Sequence, residues 1–379
     1  MRRLRLMIPG PIELDPKVLA IMSEPLVAHY GEEWTAFYKE TTGLLQKIFQ
    51  TGGDVFLLPG SGSAALDAAL GSTLFPDGKV LIPQNGFFGE RLEEIARSYT
   101  PNVYTIKFPI GQSIDLGAVE KTLQTGHFDV VACVHCETST GVVNDIKKLA
   151  EITRKYDAIL VVDAISGLLA DEFRMDEWGV DVVVSGSQKG LMLPPGLSFI
   201  SFSQKAWEMV ENSRLPKFYW DVRTYRKYLR DNKQIPYTPG VNLLFSLREA
   251  LNMMREEGLE NVFARHAELA RATRRGVHAL GLQLFAEQPC NAVTSVKVPE
   301  GIDGQALVKR MRLELGVSIA GGQREYKGKI FRIAHLGYMT RFDVILALSG
   351  LEIMLNKLGY KVESGKGVAE AEKEFMEAK

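Results

Sequence analysis

The chain has 379 residues, of which 46% are hydrophobic and 24% are charged. This composition excludes a disordered or collagen-like chain, and the net charge of −1 gives no support to a protein that binds nucleic acid or an anionic membrane. Three cysteines do not make a disulfide framework, so we expect a reducing, cytoplasmic location.

The first twenty residues form a separate N-terminal segment without a targeting pattern. Pro9, Gly10 and Pro11 follow the initial arginines at once and leave no room for the apolar region of a signal peptide. The longest apolar run of the chain, residues 158–170, contains Asp163 and is too short to cross a bilayer. We therefore expect neither a signal peptide nor a membrane span.

From residue 55 to residue 203, short apolar runs alternate with helical patterns. The predicted strands are Val55–Leu58, Lys79–Ile82, Asn102–Ile106, Asp129–Val134, Ala158–Val162, Asp181–Ser185 and Leu197–Phe202. The predicted helices between them include Ser63–Leu74, Gly89–Ser98 and Asp145–Tyr156. Apolar strands separated by helices indicate a mostly parallel sheet that is covered on both faces. We predict a large, doubly wound α/β domain over residues 21–260.

The second part of the chain has a different pattern. Residues 204–280 are mostly helical in character, and later residues combine strands with helices. The predicted strands are Ala292–Val298 and Lys329–Ala334, and the predicted helices are Gly304–Glu314 and Arg341–Leu358. This pattern predicts a smaller α+β domain over residues 261–379.

A glycine-rich turn, Gly60-Ser-Gly-Ser63, follows one strand and opens a helix. Such a turn lets the helix N-terminus bind a phosphate. The spacing also imitates a dinucleotide fingerprint, but that site needs an acidic residue at the end of the next strand. Pro83, Gln84 and Asn85 stand there instead, so a phosphate site is favoured and a plain tight turn remains possible.

Asp163 and Lys189 each follow an apolar strand, at the sheet edge where open α/β proteins bind ligands. Separately, the carboxylate suits a helix cap and the lysine a surface charge. Together with a phosphate site, however, they supply what pyridoxal phosphate requires. A desolvated lysine attacks the aldehyde, and a carboxylate pairs with the ring nitrogen.

Eight motifs then connect the chain with a known family. They are Pro9-Gly-Pro-Ile-Glu-Leu-Asp-Pro-Lys-Val-Leu19, Gly60-Ser-Gly-Ser63, Asn85-Gly-Phe-Phe-Gly89, His135-Cys-Glu-Thr-Ser-Thr-Gly141, Val162-Asp-Ala164, Ser185-Gly-Ser-Gln-Lys189, Ser246-Leu-Arg-Glu-Ala250 and Gly328-Lys-Ile-Phe-Arg-Ile333. On these motifs the chain resembles, nearly end to end, the class V aminotransferases of alanine–glyoxylate and serine–pyruvate type. The resemblance implies the fold-type I architecture and pyridoxal 5'-phosphate as cofactor.

The resemblance also implies roles for individual residues. The cofactor would be held by Ser61, Gly62, Ser63, Phe88, Thr138, Asp163, Gln188, Lys189 and Thr238. Lys189 would be the Schiff-base lysine and proton shuttle, and Asp163 would keep the ring nitrogen protonated. Arg332 would clamp the substrate carboxylate, with Gly10 also at the substrate site. Thr238 would come from a second subunit, so a homodimer with shared active sites is expected.

Two positions depart from the family pattern. Ile235 stands where some relatives have a phosphate-binding tyrosine, for which Tyr237 is a possible substitute. Ser63 stands where some members have histidine, a change that alters phosphate contacts without removing them.

Several other motifs have structural explanations. Cys133-x-x-Cys136 has the spacing of a redox or zinc site, but Cys290 is the only other cysteine, so we expect core packing and no metal. The basic and aromatic residues between 214 and 233 favour a surface or subunit-interface helix over a nucleic-acid site. His29 and His335 suit either the edge of the active site or a structural role.

The predicted reaction is transamination between a small L-amino acid, alanine or serine, and glyoxylate or pyruvate. A desulfurase-like lyase is an alternative, but Gln188 replaces the histidine that such enzymes carry and no cysteine follows Cys290. A nicotinamide-dependent dehydrogenase is a further alternative, but the chain lacks the carboxylate with which such an enzyme binds the ribose of its cofactor. A protein that binds the cofactor without catalysis is opposed by the presence of Lys189, Asp163 and Arg332.

Overall fold

A computed structural model describes residues 4–377 of the chain. The strands in that range are β1 (Arg5–Met7), β2 (Val55–Pro59), β3 (Val80–Gln84), β4 (Val103–Lys107), β5 (Val130–Val134), β6 (Cys136–Glu137), β7 (Val142–Val143), β8 (Ile159–Asp163), β9 (Val182–Gly186), β10 (Leu197–Phe202), β11 (Val293–Lys297), β12 (Val317–Gly321) and β13 (Ile330–Ala334). The helices are α1 (Pro16–Ile21), α2 (Glu32–Phe49), α3 (Gly62–Thr73), α4 (Phe87–Arg97), α5 (Leu116–Leu123), α6 (Ile146–Lys155), α7 (Met175–Trp178), α8 (Gln204–Asn212), α9 (Val222–Asn232), α10 (Val241–Glu257), α11 (Leu259–Ala279), α12 (Gly304–Arg310), α13 (Arg341–Lys357) and α14 (Lys366–Glu377). No helix within these residues has both the length and the apolar character needed to cross a membrane.

The larger sheet has seven strands in the order β2-β10-β9-β8-β5-β3-β4. Only β10 runs antiparallel to its neighbours, and the other paired strands are parallel. Its central strands are buried along their whole length and are apolar except at their carboxyl ends, as expected when helices cover both faces. The doubly wound fold is therefore confirmed, and all seven predicted strands lie within two residues of their observed bounds.

The smaller sheet has four strands in the order β1-β12-β13-β11. β11 and β13 are the two predicted strands, and they pair antiparallel. The sequence does not predict β1 or β12. β1 has only three residues, and its partner lies far along the chain, with Arg5 opposite Val317, so no local pattern marks it.

The helix predicted for residues 304–314 changes type along its length. α12 ends at Arg310 and continues as a π-helical turn over Met311–Leu315. The turn ends at Gly316, whose φ of 75° takes the chain out of the right-handed helix at no steric cost.

The buried apolar side chains form two clusters. The larger surrounds the seven-stranded sheet, and the smaller contains Met7 together with residues from the smaller sheet and its helices. α11 belongs to both, because Val262 lies in the larger cluster and Leu269 in the smaller. The division into residues 1–20, 21–260 and 261–379 stays a prediction.

The carboxyl ends of three parallel strands meet at one edge of the larger sheet. Asp163 is the last residue of β8, and Lys189 follows the adjacent β9. The hairpin of β6 and β7 follows β5 and places Thr138 at the same edge. This edge carries the candidate active site.

Candidate active site

A cavity of about 550 Å³, including its part open to solvent, lies at this edge of the sheet. The predicted residues that line it are Ser61, Gly62, Ser63, Phe88, Thr138, Asp163, Gln188 and Lys189. The remaining lining residues are Leu66, Arg91, Cys136, Ile165 and Ser166. The fold thus brings together eight side chains and backbone segments that are widely separated in the sequence.

The glycine-rich turn at residues 60–63 packs tightly against the loop after β8. A Cβ at Gly62 would overlap the Ile165 side chain, so only glycine allows α3 to begin this close to the loop after β8. The first N–H groups of an α-helix have no acceptors within the helix, and Ser61 makes no side-chain capping bond to those of α3 in the described chain. The start of α3 therefore offers donors to an anion.

Asp163 is a buried carboxyl group at the floor of the cavity. Burial raises its pKa to about 6, although a hydrogen bond from the Ile165 N–H (2.9 Å) and the charge of Lys189 oppose that rise. The residues after Asp163 form a turn rather than a helix, so it does not cap the next helix. A cationic partner in the cavity would favour the ionised form of Asp163.

Lys189 is also buried, and its amine contacts the N-terminal segment. Burial lowers its pKa to about 8, and Nζ donates a hydrogen bond to the carbonyl of Pro9. Gly10 has a φ of +98°, and a Cβ there would lie 2.8 Å from the Lys189 Cε. Gly10 is therefore a backbone wall of the lysine site, and a larger residue would displace the amine.

Arg332 reaches the same region from β13 in the smaller sheet. Its Nε and Nη2 donate to the carbonyl of Gly321 (3.0 and 2.7 Å), and its Nη1 donates to the carbonyl of Thr138 (2.7 Å). A guanidinium has five N–H groups, so one N–H remains on each Nη. Burial lowers the pKa of Arg332 to about 10, and the nearby Glu137 opposes that change. The guanidinium is held in place with two donors left for a carboxylate.

Thr238 does not reach the cavity within its own chain. It is exposed, and it does not line the site. Tyr237 is not oriented as a phosphate ligand either, because its hydroxyl donates to the Phe218 carbonyl (3.2 Å) and its ring stacks on Tyr219 at 4.5 Å. Ile235 is buried in the larger cluster.

Two charged residues near the cavity have no assigned role in the sequence interpretation. Arg91 lines the cavity, and its guanidinium lies 5.5 Å from the centre of the Phe88 ring. Its position three residues after Phe88 puts both on one face of α4, a spacing that could have identified it. Glu137 lies within the motif of residues 135–141, but only the structure shows what its carboxylate contacts.

His29 and His335, for which the sequence allows either a site or a structural role, do not line the cavity. His335 hydrogen-bonds the Asn291 carbonyl through Nδ1 and the Thr294 hydroxyl through Nε2, both at 2.8 Å. Burial lowers the pKa of His335 to about 3, which keeps the ring neutral. His29 packs edge-on against Trp34. The contacts of His335 are those of a structural histidine.

The cysteines are buried and unpaired. Burial raises the pKa of the Cys133 and Cys136 thiols, so neither is an activated nucleophile. Cys136, Asp171 and Cys290 place possible metal-binding atoms within 4.8 Å of one another. However, the Arg274 guanidinium donates to the Cys290 carbonyl (3.1 Å), and its charge lowers the pKa of Asp171. A positive charge in this place disfavours a bound cation.

Comparisons with known proteins all indicate the same family and cover most of the chain. The family model described as aminotransferase class-V matches residues 22–346. An uncharacterized aminotransferase of Methanocaldococcus jannaschii is 40% identical, with 96% of each chain covered. The serine–glyoxylate aminotransferase of Arabidopsis thaliana is 36% identical over 97% of this chain and 94% of the relative.

Solved structures have the same fold. The crystal structure of ureidoglycine–glyoxylate aminotransferase from Bacillus subtilis superposes with a TM-score of 0.95 at 32% identity, and 99% of each chain is covered. The similarity includes both sheets and is not confined to the cavity.

Proposed function

The chain belongs to the class-V aminotransferases, which depend on pyridoxal phosphate, and we propose that it transfers the amino group of L-alanine or L-serine to glyoxylate or pyruvate. The observation that carries this proposal is that Lys189 and Asp163 line one cavity and that Arg332 reaches the Thr138 carbonyl at the same cavity. Relatives at about a third identity that are named for glyoxylate as amino acceptor support the choice of acceptor.

The residues of the cavity fit the cofactor. Gln188 has a buried side-chain oxygen without a partner in the described chain, as expected where a polar ligand is to bind. The start of α3 suits the phosphate, Asp163 suits a protonated ring nitrogen, and Phe88 offers an aromatic face. Pyridoxal phosphate supplies an aldehyde that reacts with amines and a ring that withdraws electrons from the substrate α-carbon.

Lys189 is the proposed proton carrier. With its pKa lowered to about 8, more of its amine is neutral near neutral pH than that of an exposed lysine. A neutral amine can accept the proton of the substrate α-carbon, and Lys189 would then deliver it to the carbon of the cofactor aldehyde group. The contact with the Pro9 carbonyl keeps the amine inside the cavity.

Arg332 is the proposed anchor for the substrate carboxylate. The N–H groups that remain on Nη1 and Nη2 match the two oxygens of a carboxylate, and the bonds to Gly321 and Thr138 fix the plane of the guanidinium. A fixed carboxylate orients the substrate α-carbon toward Lys189.

Arg324 is relevant to the choice of amino donor. A second unpaired cationic side chain, besides Arg332, would favour a donor with two carboxylates. Its guanidinium forms ion pairs with Glu90 and Glu94 and lies 4.9 Å from the centre of the Phe87 ring. A distal carboxylate would have to displace Glu90. This arrangement supports a donor with a short, uncharged side chain.

The two half-reactions test this proposal. We expect L-alanine or L-serine to remove the visible absorption band of the loaded enzyme and glyoxylate to restore it, whereas L-aspartate acts at least about tenfold more slowly because Arg324 is already paired. Stopped-flow absorbance measures each rate. A protein that takes up no pyridoxal phosphate, or that responds to none of these donors, would contradict the proposal.

The lyase alternative receives no support from the cysteines. Cys290 is the last cysteine of the sequence, and its thiol is buried and contacts the Val293 carbonyl at 3.6 Å. A thiol in this place cannot approach a substrate in the cavity, as a desulfurase requires.

A homodimer completes the proposal. Large apolar side chains are exposed in the described chain, including Leu26 at 71% and Phe218 at 81%. Thr238 is exposed and follows Tyr237, whose hydroxyl donates to the Phe218 carbonyl, so the exposed Thr238 lies in the same region as the exposed Phe218 side chain. Association through exposed apolar side chains would let one subunit carry Thr238 to the cavity of its partner.

Sedimentation equilibrium tests the oligomeric state. We expect a mass of twice 42.1 kDa at micromolar concentration. A monomer that retains full activity at the same concentration would contradict shared active sites.

A further inference from the structure

Glu137 is a buried carboxylate whose bonds connect two separate parts of the candidate active site. Its Oε2 accepts the backbone N–H groups of Phe88 (3.0 Å) and Gly89 (3.1 Å) at the start of α4. Its Oε1 accepts the N–H of Ser139 (3.2 Å) and also the Ser139 hydroxyl. Both oxygens are therefore used, and every bond depends on their acting as acceptors.

These bonds anchor the first turn of α4. The Ser139 hydroxyl oxygen also accepts the N–H of Phe87 (3.1 Å), so three successive donors of the helix N-terminus have partners from the β6–β7 hairpin. A helix N-terminus is electrostatically favourable for a negative charge. Gly86 precedes the helix, and a Cβ there would overlap the Glu137 side chain, so the carboxylate fits only because this residue is glycine.

The groups fixed in this way belong to different elements. Phe88 comes from α4 and lines the cavity, and Thr138, which directly follows Glu137, lines it as well. The Thr138 carbonyl also accepts the hydrogen bond of Arg332 Nη1 (2.7 Å). One carboxylate therefore links the aromatic face, the Thr138 segment and the arginine.

We propose that Glu137 is a positioning residue that fixes Phe88 and Thr138 relative to Lys189. The cofactor ring and the substrate carboxylate then bind with the substrate α-carbon close to the Lys189 amine. This inference rests on the proposed function. Glu137 touches neither reacting atom, and it acts through the start of α4 and through the hairpin.

The charges around Glu137 are consistent with this role. Burial raises its pKa to about 7, the bonds from Ser139 and Gly89 lower it, and Asp163 raises it. Arg332 is the cation that faces it. The three N–H donors favour the ionised form and oppose the effect of burial, because an N–H group cannot accept a hydrogen bond from a protonated carboxyl group.

The variant Glu137→Gln tests the proposal with little change in volume. Its amide NH₂ must face either the N–H groups of Phe88 and Gly89 or the N–H group of Ser139, so the backbone N–H bonds on one side are lost. We expect the dissociation constant for pyridoxal phosphate to rise at least about tenfold, measured by quenching of tryptophan fluorescence in the cofactor-free protein. We also expect the KM for the amino donor to rise, because the Thr138–Arg332 contact shifts.

Glu352 provides a matched control. It is a buried carboxylate that accepts the N–H groups of Gly365 (2.7 Å), Gly367 (2.8 Å) and Val368 (3.2 Å), remote from the cavity. Glu352→Gln should lower the thermal midpoint but leave cofactor affinity and KM unchanged. An equal loss of cofactor affinity in both variants would overturn the proposal, as would wild-type affinity and KM in Glu137→Gln.

Ser139→Ala is the second variant in case Glu137→Gln does not fold. It keeps the carboxylate but removes the hydroxyl that joins it to Phe87, so a smaller loss of cofactor affinity is expected, about threefold. Unchanged affinity would overturn the proposal. If wild-type protein binds the cofactor but no amino donor reacts, the proposed function fails separately, and the effect of these variants on cofactor binding still decides the role of Glu137.

Discussion

Replacing Lys189 with alanine is expected to lower kcat for transamination by at least about 10³-fold, while the protein still folds and still binds pyridoxal phosphate noncovalently. The variant loses the amine that we propose as the proton carrier and as the site of covalent attachment. The start of α3, Asp163 and Phe88 remain in place. Single-turnover absorbance with L-alanine measures the loss.

Lys217 supplies the control for this experiment. Burial also lowers the pKa of its amine, which donates to the Ser213 hydroxyl (3.2 Å) and does not line the cavity. Lys217→Ala should keep kcat within about twofold of wild type. Substantial activity in Lys189→Ala would show that another group carries the proton and would refute the assignment.

Replacing Asp163 with asparagine is expected to lower kcat about 10²- to 10³-fold, the range seen when a single electrostatic partner of a reacting group is removed. The amide oxygen can still accept the Ile165 N–H, so the local geometry is kept. What is lost is the negative charge that would keep the ring nitrogen protonated. Steady-state kinetics with saturating cofactor measures the effect.

The same variant, Asp163→Asn, should lower kcat but should not lower the stability of the cofactor-free protein. Burial raises the pKa of Asp163 to about 6, so its contribution to stability is present at low pH and is lost as the pH rises through about 6. Asparagine removes this dependence, and we expect the variant to unfold at an equal or higher temperature than wild type at pH 7.

Asp171 is the matched control for Asp163. Burial raises its pKa to about 6 as well, it accepts the N–H of Asn291 (3.0 Å), and it does not line the cavity. Asp171→Asn should leave kcat unchanged. Equal losses in both variants would mean that the effect is structural and would refute the role of Asp163.

The local part of the site could be predicted from the sequence because strand ends and glycine turns are local patterns. Asp163 ends an apolar run, and Lys189 follows another, so parallel strand order alone brings them to one edge. The start of α3 is also a local feature. Arg332 was identifiable only through the family resemblance, since no pattern in its own strand predicts that it crosses to the Thr138 carbonyl.

Other features depend on contacts between distant segments and could not be predicted. Glu137 differs from an ordinary buried glutamate only in what it contacts, and those partners lie about fifty residues earlier in the chain. The pairing of Arg324 with Glu90 is equally nonlocal and depends on the conformation of the loop before β13. Thr238 stays a prediction, because its proposed cavity belongs to another subunit.

The pairing of β1 with β12 has a consequence for the order in which the molecule forms during synthesis. Residues 5–7 leave the ribosome long before the strand that they pair with, Val317–Gly321. The following Pro9 and Gly10 form a wall of the Lys189 site. Contacts between such distant segments form late, so we expect Lys189 to stay uncovered until Val317–Gly321 has been synthesised. A nascent chain can thus complete most of the larger sheet while the cavity beside Lys189 is still open.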